Sequence, residues 1–243
     1  MSAATLARLR LLRTSGVGPV TWRQLVARFG DADAAIGALP QLAARGGGRA
    51  PVVPDAAAIE REMASTARAG ATYLFIDDAG YPPLLAELEN APVALTFRGR
   101  LELMHERCIA MVGARNASAA AVRFARGLSH DLADAGATVV SGLARGIDTA
   151  AHLGAGSATI AVVASGIDVA WPPENAALQE RLAGEALVIA EQPPGTEPRA
   201  RHFPYRNRII AGLCAGTVVV EAAPKSGSLI TARLAGEQGQ LYT

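Results

Sequence analysis

The sequence predicts an α/β chain: a doubly wound parallel sheet preceded by a small all-helical domain. Five short apolar runs, CIAMVG, ATVVSG, TIAVVASG, ALVIAE and TVVVEA, end in small or polar residues and alternate with helical stretches. Strands that are apolar on both faces and joined by helical crossovers make a parallel sheet covered on both sides. The first 45 residues carry no such run; their apolar residues recur at helical spacing, with Gly and Pro at the joints. Half of the 243 residues are hydrophobic and only 5% aromatic, with Ala, Gly, Leu and Val dominant, as suits helices packed tightly on a sheet.

In chain order, LARLRLLRTS and WRQLVARFG are helices flanking the turn GVGP, and DADAAIGAL is a third. RGGGRAPVVP reads as a linker by composition. The boundary is therefore set at residue 50, with a helical domain over 1–50 and a sheet domain over 51–243. DAAAIEREMASTARAG is the next helix, followed by the strands YLFI and VALTF, and then the regular alternation begins. Its helices are AAAVRFARGLSHDLADAG, GIDTAAHLG, PENAALQERLAG and the RNRIIAGL segment, and no internal repeat or low-complexity tract interrupts it.

A formal net charge of +1 excludes a polybasic protein, so any nucleic-acid contact must be a local patch. Cys108 and Cys214 have no partners at metal-ligand spacing and read as small buried hydrophobes in a reducing compartment. The N-terminal run TLARLRLLRTSG carries arginines, unlike a signal peptide, and no apolar run reaches 18 residues. The expected location is the cytoplasm, with no membrane partner.

Ligands of such sheets bind outside the carboxyl ends of the strands, so the residues there carry the chemistry. VGAR places Gly113 and Arg115 after a central strand; the arginine suits phosphate oxygens, or else a salt bridge to a neighbouring loop. SGLARGID (141–148) offers Ser141, Gly142, Arg145 and Gly146 as a second phosphate-binding turn. Asp148 and His152 follow four apart on a helix, either as an acid–base pair or as a backbone-binding aspartate with a packed histidine. HFPYRNR supplies Phe203, Arg206, Asn207 and Arg208, part of a stretch from 198 to 220 with four arginines and no carboxylate. Aromatics interleaved with arginines suit stacked bases and a phosphate chain, although Phe203 alone would read as core. KSGSLIT supplies Lys225, Ser226, Gly227, Ser228 and Thr231, either a phosphate-binding helix start or a plain serine cap. Neither GxGxxG nor GxxxxGK[ST] occurs after any strand, which argues against a dinucleotide site and a P-loop. The GVGP turn resembles a helix-hairpin-helix (SAM-like) element that could touch a DNA phosphate through backbone N–H groups.

Together and in this order, IAMVGAR, TVVSGLARGIDTAAH, TIAVVASGIDVAWPPEN, HFPYRNRIIAGL and VVVEAAPKSGSLITARLAGEQG resemble the DNA-processing protein A family (DprA, also called Smf). The resemblance covers roughly residues 70–240. It implies an extended Rossmann-like domain that binds single-stranded DNA without sequence preference, protects incoming DNA in natural transformation and loads the RecA recombinase. It implies no catalytic residue, no cofactor and no metal. Carried over residue by residue, it assigns DNA binding to Gly113, Arg115, Ser141, Gly142, Arg145, Gly146, Phe203, Arg206, Asn207, Arg208, Lys225, Ser226, Gly227, Ser228 and Thr231. Ala114 stands where the family usually has serine, and the segment between His152 and Ile160 is shorter than usual. The chain ends at QLYT where family members continue into a further strand, so the sheet domain is expected to be truncated and the family's homodimer and RecA contact to be affected. The alternative function is a nucleotide-binding enzyme of the nucleoside-monophosphate phosphoribohydrolase kind, which would need a catalytic glutamate beside a PGGxGT-type loop. Glu221 precedes SGSLIT without that glycine pair. A nicotinamide oxidoreductase ranks third.

Overall fold

The computed structural model describes residues 2–222 together with Thr231, Arg233, Leu234, Gly236, Leu241 and Tyr242. Each of the first helices begins where the sequence offers a cap. Ser2 accepts from the Thr5 amide at the start of α1 (Ala3–Leu12), and Pro19 opens α2 (Pro19–Phe29) after Gly18. Asp31 caps α3 (Ala32–Arg45) and Asp55 caps α4 (Ala56–Arg68) through their carboxylates. Between α3 and α4 the glycine-rich segment is tied down: the Ser15 amide donates to the Val52 carbonyl and Arg10 Nε to the Pro54 carbonyl.

The sheet follows: β1 (Thr72–Phe75), α5 (Pro83–Ala86), β2 (Ala94–Gly99), β3 (Arg107–Gly113), α6 (Ala119–Asp134), β4 (Ala137–Ser141), α7 (Ile147–Ala155), β5 (Thr159–Gly166), α8 (Ala176–Glu185), β6 (Leu187–Gln192), α9 (His202–Leu213), β7 (Gly216–Val220) and β8 (Leu241–Tyr242). Its eight strands lie in the order β1-β2-β6-β5-β4-β3-β7-β8. From β6 across to β8 every pair is parallel, as the doubly buried runs predict. The two strands read as YLFI and VALTF differ: β1 and β2 pair antiparallel with each other, and β2 runs antiparallel to β6. Apolar runs fix that these are strands but not their direction. The further strand that the chain is expected to lack is begun after all: Leu241–Tyr242 form β8, paired with Gly216 and Thr217 of β7.

Alternation along the central strands feeds two cores. Met111 and Val139 face Ile147, Ala150 and Ala151 of α7 and Ala125 of α6, whereas Ala110, Val112 and Val140 join Ile209, Ile210 and Leu213 of α9. A third cluster joins Leu9 of α1 to Ile59 and Met63 of α4 and to Phe75 and Ala94 of the sheet, so the helical unit packs directly on the β1–β2 edge. The chain moves outward from β3 through β4, β5 and β6, then returns through α9 to β7 on the other side of β3. That reversal makes a crevice at the strand ends beside β3, and Arg115 leaves β3 into it.

Candidate nucleic-acid interface

Two neighbouring cavities occupy the crevice. The first, about 280 Å³, is bordered by Arg115, Gly142, Arg145, Trp171 and Phe203. The second, about 210 Å³, is bordered by Gly113, Arg115, Asp148, Phe203, Arg206 and Asn207, with Thr231 also in its wall. Arg115 and Phe203 belong to both. The exposed Arg115 guanidinium lies 5.1 Å from the centre of the half-buried Phe203 ring, a cation–π pair at the ridge between the cavities. Arg145 is also exposed and pairs with Glu174, which stands in the PPEN segment before α8. Such a surface pair contributes little to stability.

The SGLARGID turn between β4 and α7 is the floor of this crevice, and buried polar groups hold it. Asp148 Oδ2 accepts from the amides of Gly142 at 3.1 Å and Ala144 at 3.3 Å. Arg206 Nη1 donates to the Gly142 carbonyl at 2.7 Å and to the Val162 carbonyl, while its Nε donates to Asn207 Oδ1. Asn175 Nδ2 donates to the Leu143 carbonyl, and the Thr149 amide and hydroxyl both donate to the Ala144 carbonyl. Ser141 is fully buried, its hydroxyl donating to the Met111 carbonyl. Every carbonyl from Gly142 to Ala144 thus has a donor, and Leu143 is held at φ +56°, a conformation that non-glycine residues seldom adopt. Gly142 has no room for a Cβ, which would run into the Arg206 guanidinium. Gly146, at φ +72°, opens α7 where a Cβ would meet the main-chain carbonyls of Ala114 and Arg115.

Arg206 is 6% exposed and Arg208 3%. Burial lowers Arg206 to about 10, against the attraction of Asp148, so it remains a cation at neutral pH. Burial pushes the Asp148 carboxyl upward, while Arg206 and the two amides pull it down. Arg208 Nη2 donates to Glu191 Oε1 of β6 at 2.6 Å, and its guanidinium lies 4.0 Å from the centre of the Tyr205 ring. Neither guanidinium is presented to solvent. Arg206, Arg208 and Ser141 build the wall and floor from inside. Arg206 borders the second cavity while its nitrogens donate to carbonyls and to Asn207. Arg208 donates from Nη2 to Glu191 with its Nε and Nη1 buried and unpartnered, and Ser141 holds the Met111 carbonyl. Asn207 is 9% exposed, on the second cavity, and Thr231 is 1% exposed beside it. Lys225, Ser226, Gly227 and Ser228 lie outside the described residues. Sequence reasoning did not single out Trp171, Glu174 or Asn175, although all three stand in the quoted WPPEN stretch; only their placement across from SGLARGID shows what they do.

Asp148 and His152 do not face each other as an acid–base pair. The Thr159 hydroxyl donates to the Val139 carbonyl, so at 2.8 Å it must accept from His152 Nδ1–H. The imidazole is fully buried and neutral, with burial and then Arg206 pushing its pKa down to about 3. An unfolded histidine titrates near 6.5, so the unfolded chain takes up a proton as pH falls below that value and the folded chain does not. Stability is complete above about pH 6.5 and falls by about 1.4 kcal/mol per pH unit below it, down to about pH 3. Urea unfolding at pH 7 and pH 5 will show a loss of about 2 kcal/mol that is absent from the His152→Gln variant.

Glu221, at the end of β7, accepts from the Ser118 amide and hydroxyl, which hold its carboxyl below the usual range. It ties β7 to the start of α6 and is not presented as a catalytic base. Among the described residues no cluster of His, Cys, Asp or Glu is placed to hold a metal, and no helix is long and apolar enough to cross a membrane.

The sequence matches the family model described as DNA recombination-mediator protein A over residues 72–242 and that of the DprA-like N-terminal HHH domain over residues 2–65. Among curated proteins, DNA processing protein DprA of Streptococcus pneumoniae is 44% identical over 176 residues, 70% of this chain and 60% of that protein. Protein Smf of Escherichia coli is 44% identical over 168 residues, 68% of this chain and 45% of that protein. The chain thus spans roughly half of the length of these relatives. The X-ray structure of DNA processing protein A from Streptococcus pneumoniae superposes with a TM-score of 0.74 at 33% identity, covering 99% of this chain and 81% of that one. The Helicobacter pylori protein, whose structure is described as showing a single-stranded DNA binding mode, gives 0.66 at 28% identity over 71% of this chain and 79% of that one. With its helical unit, its parallel sheet and the motifs at its strand ends all matched, the chain belongs to the DNA recombination-mediator protein A (DprA/Smf) family.

Proposed function

We propose that this chain binds single-stranded DNA in the strand-end crevice without reading its sequence. The observation that carries the reading is the Arg115–Phe203 ridge between two cavities, with Arg145 at the rim. A guanidinium beside an aromatic ring serves a phosphate and a base together, and neither depends on which base is present. The single-stranded DNA binding mode described for the Helicobacter pylori relative, which has the same fold, supports the choice of a single strand. Within the family's role, the chain protects incoming DNA in the cytoplasm during natural transformation and loads the RecA recombinase onto it, without catalysis of its own.

Fluorescence anisotropy with labelled single- and double-stranded oligonucleotides over a range of salt concentrations tests the binding. Single strands will bind more tightly, and the logarithm of affinity will fall against that of salt concentration with a slope of about −0.7 per phosphate neutralised. Equal affinity for duplex and single strand at every salt concentration would overturn the proposal, and competition by AMP would favour the nucleotide-enzyme alternative.

A further inference from the structure

We infer that Trp171 is a stacking platform for a nucleobase and that the cavity it borders seats one base of the bound strand; this rests on the single-strand reading above. Trp171 is 45% exposed, an uncommon position for so large an apolar ring. It stands at the rim of the first cavity, across from Phe203 and Arg115. The segment that carries it is fastened on several sides. Ser165 Oγ donates to the Val169 carbonyl at 2.6 Å, Asp168 accepts from the Gly195 amide at 2.7 Å, and the Asn175 amide donates to the Pro172 carbonyl at 2.9 Å. Asn175 itself reaches across to the Leu143 carbonyl, so the loop under the indole and the SGLARGID turn form one connected piece. The backbone that carries the ring is therefore fixed before any ligand arrives, which lowers the ordering cost of stacking on it.

The surroundings select the ligand class. Among the described residues the cavity lining contains Arg115 and Arg145 and no carboxylate, Glu174 standing outside it as the partner of Arg145, and Pro172, Pro198 and Ala164 complete its apolar side. At about 280 Å³ it lies just under the roughly 300–1,000 Å³ of sites that enclose a drug-sized ligand, which suits one base of a polymer better than a dinucleotide cofactor. Arginines at the mouth are placed for the phosphates on either side of that base. Stacking on an aromatic face tolerates any base, so this site adds affinity without sequence preference.

The chain carries only two tryptophans, and the other, Trp22, is 2% exposed and donates from its indole nitrogen to the Arg8 carbonyl in the helical unit. Intrinsic fluorescence therefore reports on Trp171 against a constant background. The test titrates the full chain with oligothymidylate and with an abasic strand of the same number of phosphates, reading tryptophan emission and the anisotropy of an end label. Oligothymidylate will quench the emission and the abasic strand will bind without quenching. Trp171→Ala will weaken oligothymidylate binding about five-fold or more and leave the abasic affinity unchanged, and Trp171→Phe will restore most of the loss. If oligothymidylate binds the parent without quenching, or Trp171→Ala binds both strands as the parent does, the stacking role is wrong while strand binding stands. If neither strand binds the parent at any salt concentration, the reading of the crevice fails and the stacking role falls with it.

Discussion

Replacing Arg206 by methionine will lower the stability of the chain by about 2–6 kcal/mol, about 1–3 for each of the two buried carbonyls left without a donor. The guanidinium holds the carbonyls of Gly142 and Val162 and balances Asp148, which is 7% exposed and engaged by two amides. Without it a carboxylate and two carbonyls remain inside the protein with part of their compensation removed. Urea unfolding followed by circular dichroism measures the loss. The double variant with Asp148→Asn will recover part of it, because the uncompensated charge is gone, and the cycle gives the coupling between the two side chains. An Arg206→Met protein that unfolds like the parent yet no longer binds DNA would return this arginine to the contact surface.

Arg115→Ala behaves in the opposite way. The side chain is exposed and rests on the Phe203 ring, so its loss removes little packing and the melting temperature will hold. Affinity for a single strand will fall by about 1.5–3 kcal/mol, roughly ten- to 150-fold, the contribution of a hydrogen bond between charged groups. If one phosphate contact disappears, the salt slope becomes shallower by about 0.7. Anisotropy at two salt concentrations measures both. Parent-like affinity in this variant would place the strand elsewhere on the molecule.

The parallel part of the sheet is legible in the sequence because β3 to β7 each read as a continuous apolar run, with β4 and β5 buried along their whole length. The direction of β1 and β2 is not, since an apolar run carries no sign. At the site, Arg115 emerges at the strand end beside the crevice as its position in VGAR predicts. The sequence does not show the partners of the arginines of α9. Counted along the chain they have no carboxylate nearby, yet their partners come from elsewhere in the fold, Glu191 from β6 and Asp148 from α7. A signal was available: Arg206, Ile209, Ile210 and Leu213 stand three, four and seven apart, which puts the arginine on the apolar face of its helix. Trp171 offers no such signal, because a single aromatic in a proline-rich loop acquires meaning only from what faces it.

The inward set of Arg206 and Arg208 bears on how the HFPYRNR stretch should be used to recognise other chains. Both residues are required for the shape of the wall, so selection for a folded protein retains them whether or not a strand is bound. A relative that had abandoned DNA altogether would keep the motif for as long as it kept its core. Residues that serve only the ligand are under no such protection, and Arg115 and Trp171 are exposed enough to drift at little cost to folding. On the proposed single-strand reading, those two positions are the ones that report whether the crevice of a divergent relative with an intact motif takes a strand.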